Sequence, residues 1–367
     1  MGLHVQYRHT WQELPCIRLL LTEWRLWQHE RMQPRYKLAP LPIKDATLRP
    51  YALNMESLLT LPFGTLDERG VLYNRAVGKN HPAIYHPTSI AQYALAQWNT
   101  YLHGRDEQHK RAFLVQARWL VEHEVSLDNG AGGWPLPFSV REYNTSPMWL
   151  SALTQGNAIS VLIRAYQVTG EDAFLHTAQR AILTFQQEIC DDGVAVSFGE
   201  HDLFFEEVAS YPAAHVLNGY ILALFGLYDY AIYTGDTHID ALIKRSLATL
   251  HTLLDKFDLG YWSCYDLRYL TPAPLFYHAL HVTLLEALAR FSGCEHCAAL
   301  AVRWDNYQKS RASLLRYFVV SRCLRYCRGL QHVAARIFQK ETPHMYAISL
   351  SSSASTNRKE HTSFSLK

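Results

Sequence analysis

The stretch YDLRYLTPAPLFYHALH, residues 265–281, holds three phenols, two of which (Tyr265 and Tyr277) stand with a guanidinium (Arg268) and two imidazoles (His278 and His281) as groups that could do chemistry. A phenol titrates near 10, so it exchanges a proton with carbon only where a cation or a local dipole eases its ionisation. Arg268 follows Tyr265 by three residues, and on a turn its guanidinium can enter the same cleft and grip a carboxylate in bidentate fashion. His278 and His281 share a helix face, where they either orient a ligand or bond to each other's neighbours as a satisfied pair. Pro272 and Pro274 stiffen the connection. Upstream, FFEEVASYP supplies two carboxylates, Glu206 and Glu207, too close in sequence to face each other across a glycosidic bond. In GGWP, Trp134 offers a flat ring on which a sugar can stack, or a plug for the end of a helical core. Asn218 and Gln155 stand at corresponding places near helix starts, suited to sugar hydroxyls or to capping.

The elements that position these groups follow a repeat. Gly104, Gly170, Gly235 and Gly293 recur almost evenly, each between two stretches with apolar residues at three and four. Each unit reads as helix, glycine stop, helix, with the glycine as left-handed cap. Four such hairpins in series predict an all-α protein, an α/α toroid or an incomplete barrel of helical hairpins. DNGAGGWPLPF, DDGVAVSFGEHDLFF and DLGYWSCYDLRYL each follow a second helix and carry Gly130, Gly193 and Gly260. They predict short β-hairpin loops at one end of the toroid, converging on one cleft. Residues 1–79 read as two short helices, a proline-rich connector and an extended arm; 80–338 as the toroid; 339–367 as a polar, serine-rich, disordered tail.

A formal net charge of +2 gives no electrostatic reason to expect nucleic acid or an acidic membrane as partner. Seven cysteines, an odd number in a long chain, do not form a disulfide framework and point to a reducing compartment. Cys294 and Cys297 in CEHC imitate a metal site, but their helical setting and spacing are not those of a zinc finger, and no metal or other cofactor is expected. No long apolar run is present and the first residues lack an uninterrupted apolar region, so a cytoplasmic protein without a membrane span is expected.

With the loops placed, HPTSIAQYAL, GGWPLPF, MWLSALTQGNAISVLIRAY, EEVASYPAAHVLNGYILALFGLYD, YDLR and YHALH resemble, in order and spacing, the C-terminal catalytic domain of D-glucuronyl C5-epimerases over about residues 80–310. The resemblance implies conversion of D-glucuronate to L-iduronate within a heparosan or heparan-type chain. That reaction removes the C5 proton from one face and returns one from the other, so it needs two acid/base groups and stabilisation of an enolate-like charge. It implies Tyr277, Tyr265 and Glu207 as catalytic groups. Arg268, His278, His281, Glu206, Trp134 and Asn218 are implied as substrate-binding groups, with an acidic polysaccharide as partner and a homodimer left open. Family members place a tyrosine after the two glutamates; this chain has Val208, with Tyr211 three residues on as the group to take its place. A uronate lyase, which starts from the same proton abstraction, and a non-catalytic glycan binder are the competing readings.

Overall fold

The computed structural model describes residues 36–39, 50–60, 64–74, 84–199 and 202–324. The expected N-terminal helices and the expected disordered tail lie outside these residues. One compact unit ends at Phe318, and of the second, which begins at Val319, only a short helical stretch is described.

The four expected hairpins are present: α1 (Pro87–Gly104) with α2 (Glu107–Glu122), α3 (Ala152–Thr169) with α4 (Asp172–Leu183), α5 (Leu217–Thr234) with α6 (Thr237–Leu253), and α7 (Leu275–Ser292) with α8 (Glu295–Lys309). α1 packs on α3, α3 on α5 and α5 on α7, while each even-numbered helix packs outside its odd-numbered partner. The arrangement is an α/α toroid built as an incomplete barrel. The sequence dictates which helix is inner: α5 is apolar on nearly every side and buried along most of its length, whereas α6 buries one stripe. Gly170, Gly235 and Gly293 close α3, α5 and α7 in the left-handed conformation (φ 71°, 71° and 72°). The first hairpin departs from the repeat. There Arg105, not Gly104, takes the left-handed position (φ 55°), and its N–H bonds to Tyr101.

α3 and α5 meet backbone to backbone. A Cβ on Gly156 would lie 2.6 Å from the Ala223 Cα, and one on Gly226 would lie 2.3 Å from the Gly156 carbonyl oxygen. Neither contact can relax by moving a side chain, so Gly156→Ala is expected to destabilise the protein by about 2–3 kcal/mol, read from the midpoint of urea unfolding.

Among the described residues, four two-stranded antiparallel ribbons decorate this frame: β1 (Lys37–Leu38) with β2 (Leu53–Asn54), β3 (Gly64–Leu66) with β4 (Leu72–Asn74), β5 (Val125–Ser126) with β6 (Gly132–Gly133), and β7 (Ala195–Phe198) with β8 (Asp202–Phe205). The β5/β6 and β7/β8 ribbons occupy the first two interhairpin loops; the third carries isolated bridges, Asp258 to Ser263 and Cys264 to Pro272. The arm carrying β1 and β2 lies against the inner helices. Tyr51 is fully buried: its N–H donates to Asn99 Oδ1 (2.8 Å) and its hydroxyl to Asn157 Oδ1 (3.0 Å). Beside it Arg164 pairs with Asp229, joining α3 to α5 in the interior.

One pair of cysteines is bonded among the described residues, and Cys190, Cys264 and Cys323 are free. Cys294 and Cys297 are joined as a disulfide at the start of α8, because the helical turn brings their Cα atoms to 5.3 Å. With His251 they form, among the described residues, the one cluster whose ligand atoms lie within 4.8 Å of one another. Sulfurs committed to a disulfide carry no thiolate charge for a metal. No helix of the described residues is long and apolar enough to cross a membrane.

Candidate active site

A cavity of about 390 Å³ opens at the end of the toroid where the inner helices begin. Each inner helix contributes the residue at or near its first turn: His86 and Thr88 from α1, Ser151 from α3, Asn218 from α5, Tyr277 from α7. Inner helices of a toroid run parallel, so their N-termini share one end, and the loops that carry the candidate residues feed into those N-termini.

Glu207 is the carboxylate of this cavity. It leaves β8 and meets the first turn of α5, where the Gly219 N–H and Asn218 Nδ2 (2.8 Å, to Oε2) donate to it and the Tyr265 hydroxyl hydrogen-bonds to it. Gly219 is a requirement of this seat: a Cβ there would lie 2.3 Å from Glu207 Cβ and Oε2. Burial pushes the Glu207 carboxyl up to about 7, and the neighbouring Glu206 adds to the rise, against the lowering effect of the three hydrogen bonds. Asn218 Oδ1, buried and on the cavity wall, has no hydrogen-bond partner among the described residues.

Tyr265 and Tyr277 stand together, ring centroids 4.9 Å apart at 75°, with a hydrogen bond between their hydroxyls. Burial pushes Tyr277 up to about 12, with the Glu207 charge as a second cause and the Tyr265 hydrogen bond opposing. Tyr265 lies further above its ordinary value, again through burial first and Glu207 second. Both phenols are therefore neutral at physiological pH, and the carboxylate is the group poised between its two forms.

Four of the sequence-derived candidates thus converge: Glu207, Tyr265, Tyr277 and Asn218. The others are placed elsewhere. His278 and His281 turn towards α8 and are fully buried: Ser263 N–H donates to His278 Nδ1 (3.2 Å), His278 Nε2 bonds the Trp304 carbonyl (3.0 Å), and His281 Nδ1 meets Ser263 Oγ (3.0 Å). The His278 ring stacks on Trp262 at 3.7 Å, and burial holds His281 down at about 3, so both imidazoles belong to the core between α7 and α8. Trp134 is a core plug whose indole N–H donates to the Leu120 carbonyl (2.8 Å), and Gln155 spends its amide on Gly132 and Thr184. Glu206, fully buried, accepts from the His215 N–H (2.9 Å) and pairs with its imidazole, holding the loop at a residue with φ 54°. Tyr211 is 84% exposed and outside the cavity wall, so it does not fill the place beside Val208. Arg268 is also outside the wall, where it donates to the Pro212 carbonyl (3.0 Å) and lies over the Tyr269 ring.

The sequence reading missed Tyr36, His86, Tyr143 and Trp149, which all line the cavity. Tyr143 carried no signal because it comes from an irregular loop, and Tyr36 because its segment reaches the site by docking of the arm. Trp149 sits in MWLSALTQGNA and packs edge-on against Phe138 (6.1 Å), giving the cavity the aromatic wall assigned to Trp134 from sequence.

Residues 128–306 match the model of the D-glucuronyl C5-epimerase C-terminus. The D-glucuronyl C5-epimerase of Caenorhabditis elegans is 34% identical over 225 residues, which is 55% of this chain and 36% of that protein. An uncharacterized protein of Methanocaldococcus jannaschii is 32% identical over 250 residues, 64% of this chain and 78% of that protein. The chain therefore spans about a third of the length of the nematode relative. Among solved structures, the unsaturated glucuronyl hydrolase of Bacillus sp. GL1 superposes with a TM-score of 0.41 at 14% identity, over 59% of this chain and 62% of that one. A family 76 α-mannanase of Bacteroides thetaiotaomicron gives 0.41 at 10% identity, over 57% and 54%. Over residues 128–306, the chain belongs to the D-glucuronyl C5-epimerase C-terminal family.

Proposed function

We propose that this protein epimerises C5 of D-glucuronate to L-iduronate within a heparosan-type polysaccharide. The observation that carries the reading is Glu207, a cavity carboxyl raised to about 7 and hydrogen-bonded to one of two paired phenols. A base with that value is ionised enough to accept a proton and protonated enough to return one near neutrality. Glu207 takes the C5 proton, directly or through Tyr265, and Tyr277 supports the charge that develops on the uronate.

The uronate carboxylate must be neutralised for C5 to ionise, and among the described residues the cavity wall contains neither lysine nor arginine. Inner helix N-termini serve instead. α2 and α6 are capped by the side chains of Asp106 and Asp236, whereas α1, α3, α5 and α7 have no side-chain cap. On α5 the Gly219 N–H is taken by Glu207, so it is the positive dipole ends of α1, α3 and α7 that are left for a ligand of negative charge. Asn218 Oδ1 provides an acceptor for a sugar hydroxyl, and Trp149 with Phe138 an apolar face for the ring.

The test is incubation with heparosan in deuterated water, followed by proton NMR at C5. Deuterium at C5 with appearance of iduronate supports the proposal; an unsaturated, ultraviolet-absorbing product reassigns the protein as a lyase, and a folded protein that does neither removes the activity. The pH dependence gives a sharper check. The rate of exchange is expected to rise with pH through about 7 as Glu207 ionises, because the proton-accepting form exists above that value. Asn218→Ala removes a donor to the charged form, so its ascending limb is expected to move to higher pH.

A further inference from the structure

Tyr143 is a cavity phenol to which the chemistry above gives no task. It sits on the 3-10 turn Arg141–Tyr143, is 8% exposed, and packs against Val208, Ala214 and Val216, none of which has a proton to transfer. Its hydroxyl donates to Asp266 Oδ2 at 2.9 Å. Asp266 is 2% exposed; its other oxygen accepts the Tyr269 N–H (2.7 Å), so the carboxylate is fixed from both sides. Such a pair, a wall phenol backed by a buried carboxylate, is costly to build for packing alone, since an apolar side chain would fill the space without desolvating a charge. Tyr143 enters from the loop before α3 and Glu207 from the segment before α5, and the two are near enough for the Glu207 charge to act on the phenol.

We infer that Tyr143 and Asp266 form a second proton-transfer pair of this cavity, serving the face of the sugar ring that Glu207 does not; the inference rests on the epimerase reading. The step balances as a relay. When the pair acts as base, the C5–H bond breaks with its electrons left on the uronate, the proton bonds to the Tyr143 oxygen, and the phenol's own proton passes to Asp266. When it acts as acid, Asp266 returns a proton to Tyr143 as the phenol delivers its own to C5. Tyr143 is neutral before and after each transfer, as burial, the Asp266 charge and the Glu207 charge, all of which raise it, require. One turnover moves a proton onto one carboxyl and off the other, and exchange with water resets them.

The experiment compares wild type, Tyr143→Phe and Asp266→Asn on heparosan in deuterated water, measuring deuterium at C5 of glucuronate and formation of iduronate separately. The result expected is a loss of iduronate formation by 100-fold or more in both variants, while exchange into glucuronate stays within tenfold of wild type, because Glu207 still removes and returns a proton on its own face. Asp266→Asn retains an acceptor for the phenol and keeps the test available if Tyr143→Phe fails to fold. Iduronate formation within fivefold of wild type in either folded variant overturns the inference, as does a parallel fall of both readouts, which a merely structural role would produce. A wild-type protein inert in both readouts overturns the epimerase reading, and the pair's role with it.

Discussion

Glu207→Gln is expected to lower C5 exchange and iduronate formation together by roughly 1,000-fold or more, because the amide retains the shape of the carboxyl and loses its capacity to accept the proton. The same variant is expected to melt at a higher temperature than wild type at pH 8. Burial raises Glu207 from its ordinary value of 4.5 to about 7, so between those values the folded protein holds a proton that the unfolded chain releases. The folded state is therefore penalised progressively as pH rises through that window, and above it carries the full cost of a buried charge. A neutral amide does not. Lower activity combined with higher stability would mark a strained functional group, whereas lower activity with lower stability would mark a packing defect. Gly219→Ala offers a control that changes no titratable group: its Cβ would displace Glu207, and its activity should fall similarly. Exchange in Glu207→Gln within tenfold of wild type would place the base elsewhere.

Asp229→Ala is expected to destabilise the protein by about 3–5 kcal/mol, the largest stability effect expected in the interior, because it leaves the Arg164 charge buried without its carboxylate. The pair is bidentate, with Nη1 to Oδ2 at 2.5 Å and Nη2 to Oδ1 at 3.0 Å, and Ser160 Oγ donates to the same carboxylate at 2.7 Å. Arg164 also donates to the Pro50 carbonyl and lies over the Tyr51 ring, so the network holds the arm as well as the helices. Replacing both charges, as in Arg164→Met with Asp229→Leu, should recover much of the loss, since two apolar groups desolvate nothing. Thermal or urea unfolding decides it, and a loss below 1 kcal/mol for Asp229→Ala would show the arginine finding other compensation.

The contrast between the residues that were legible and those that were not follows from direction, which residue type does not encode. Asn218 and Tyr277 were legible because the repeat places each in the first turn of an inner helix, where the fold itself makes the cavity, and Glu207 because the loop that carries it feeds that helix end. On α7, Tyr277 and Leu280 line that cavity while His278 and His281, one step around the helix, face α8. A rotation of one residue separates a wall group from a core group, and both pairs have the same spacing in sequence. Glu206 and Glu207 divide similarly: successive residues leave β8 on opposite sides, one to the loop and one to the helix end. The hairpins were legible through their glycine stops, although in the first the neighbouring arginine takes the left-handed turn. Tyr36 and Tyr143 depend on long-range docking of irregular segments, for which sequence periodicity carries no signal.

The cavity wall has a consequence for how the protein can be divided. Tyr36, His86, Thr88 and Gln92 all precede residue 128, where the match to the model of the epimerase C-terminus begins. The matched portion contains Glu207, but the vessel in which it sits draws part of its side from α1 and the arm. Cutting the chain at residue 128 would carry away the base and leave behind one flank of the chamber around it.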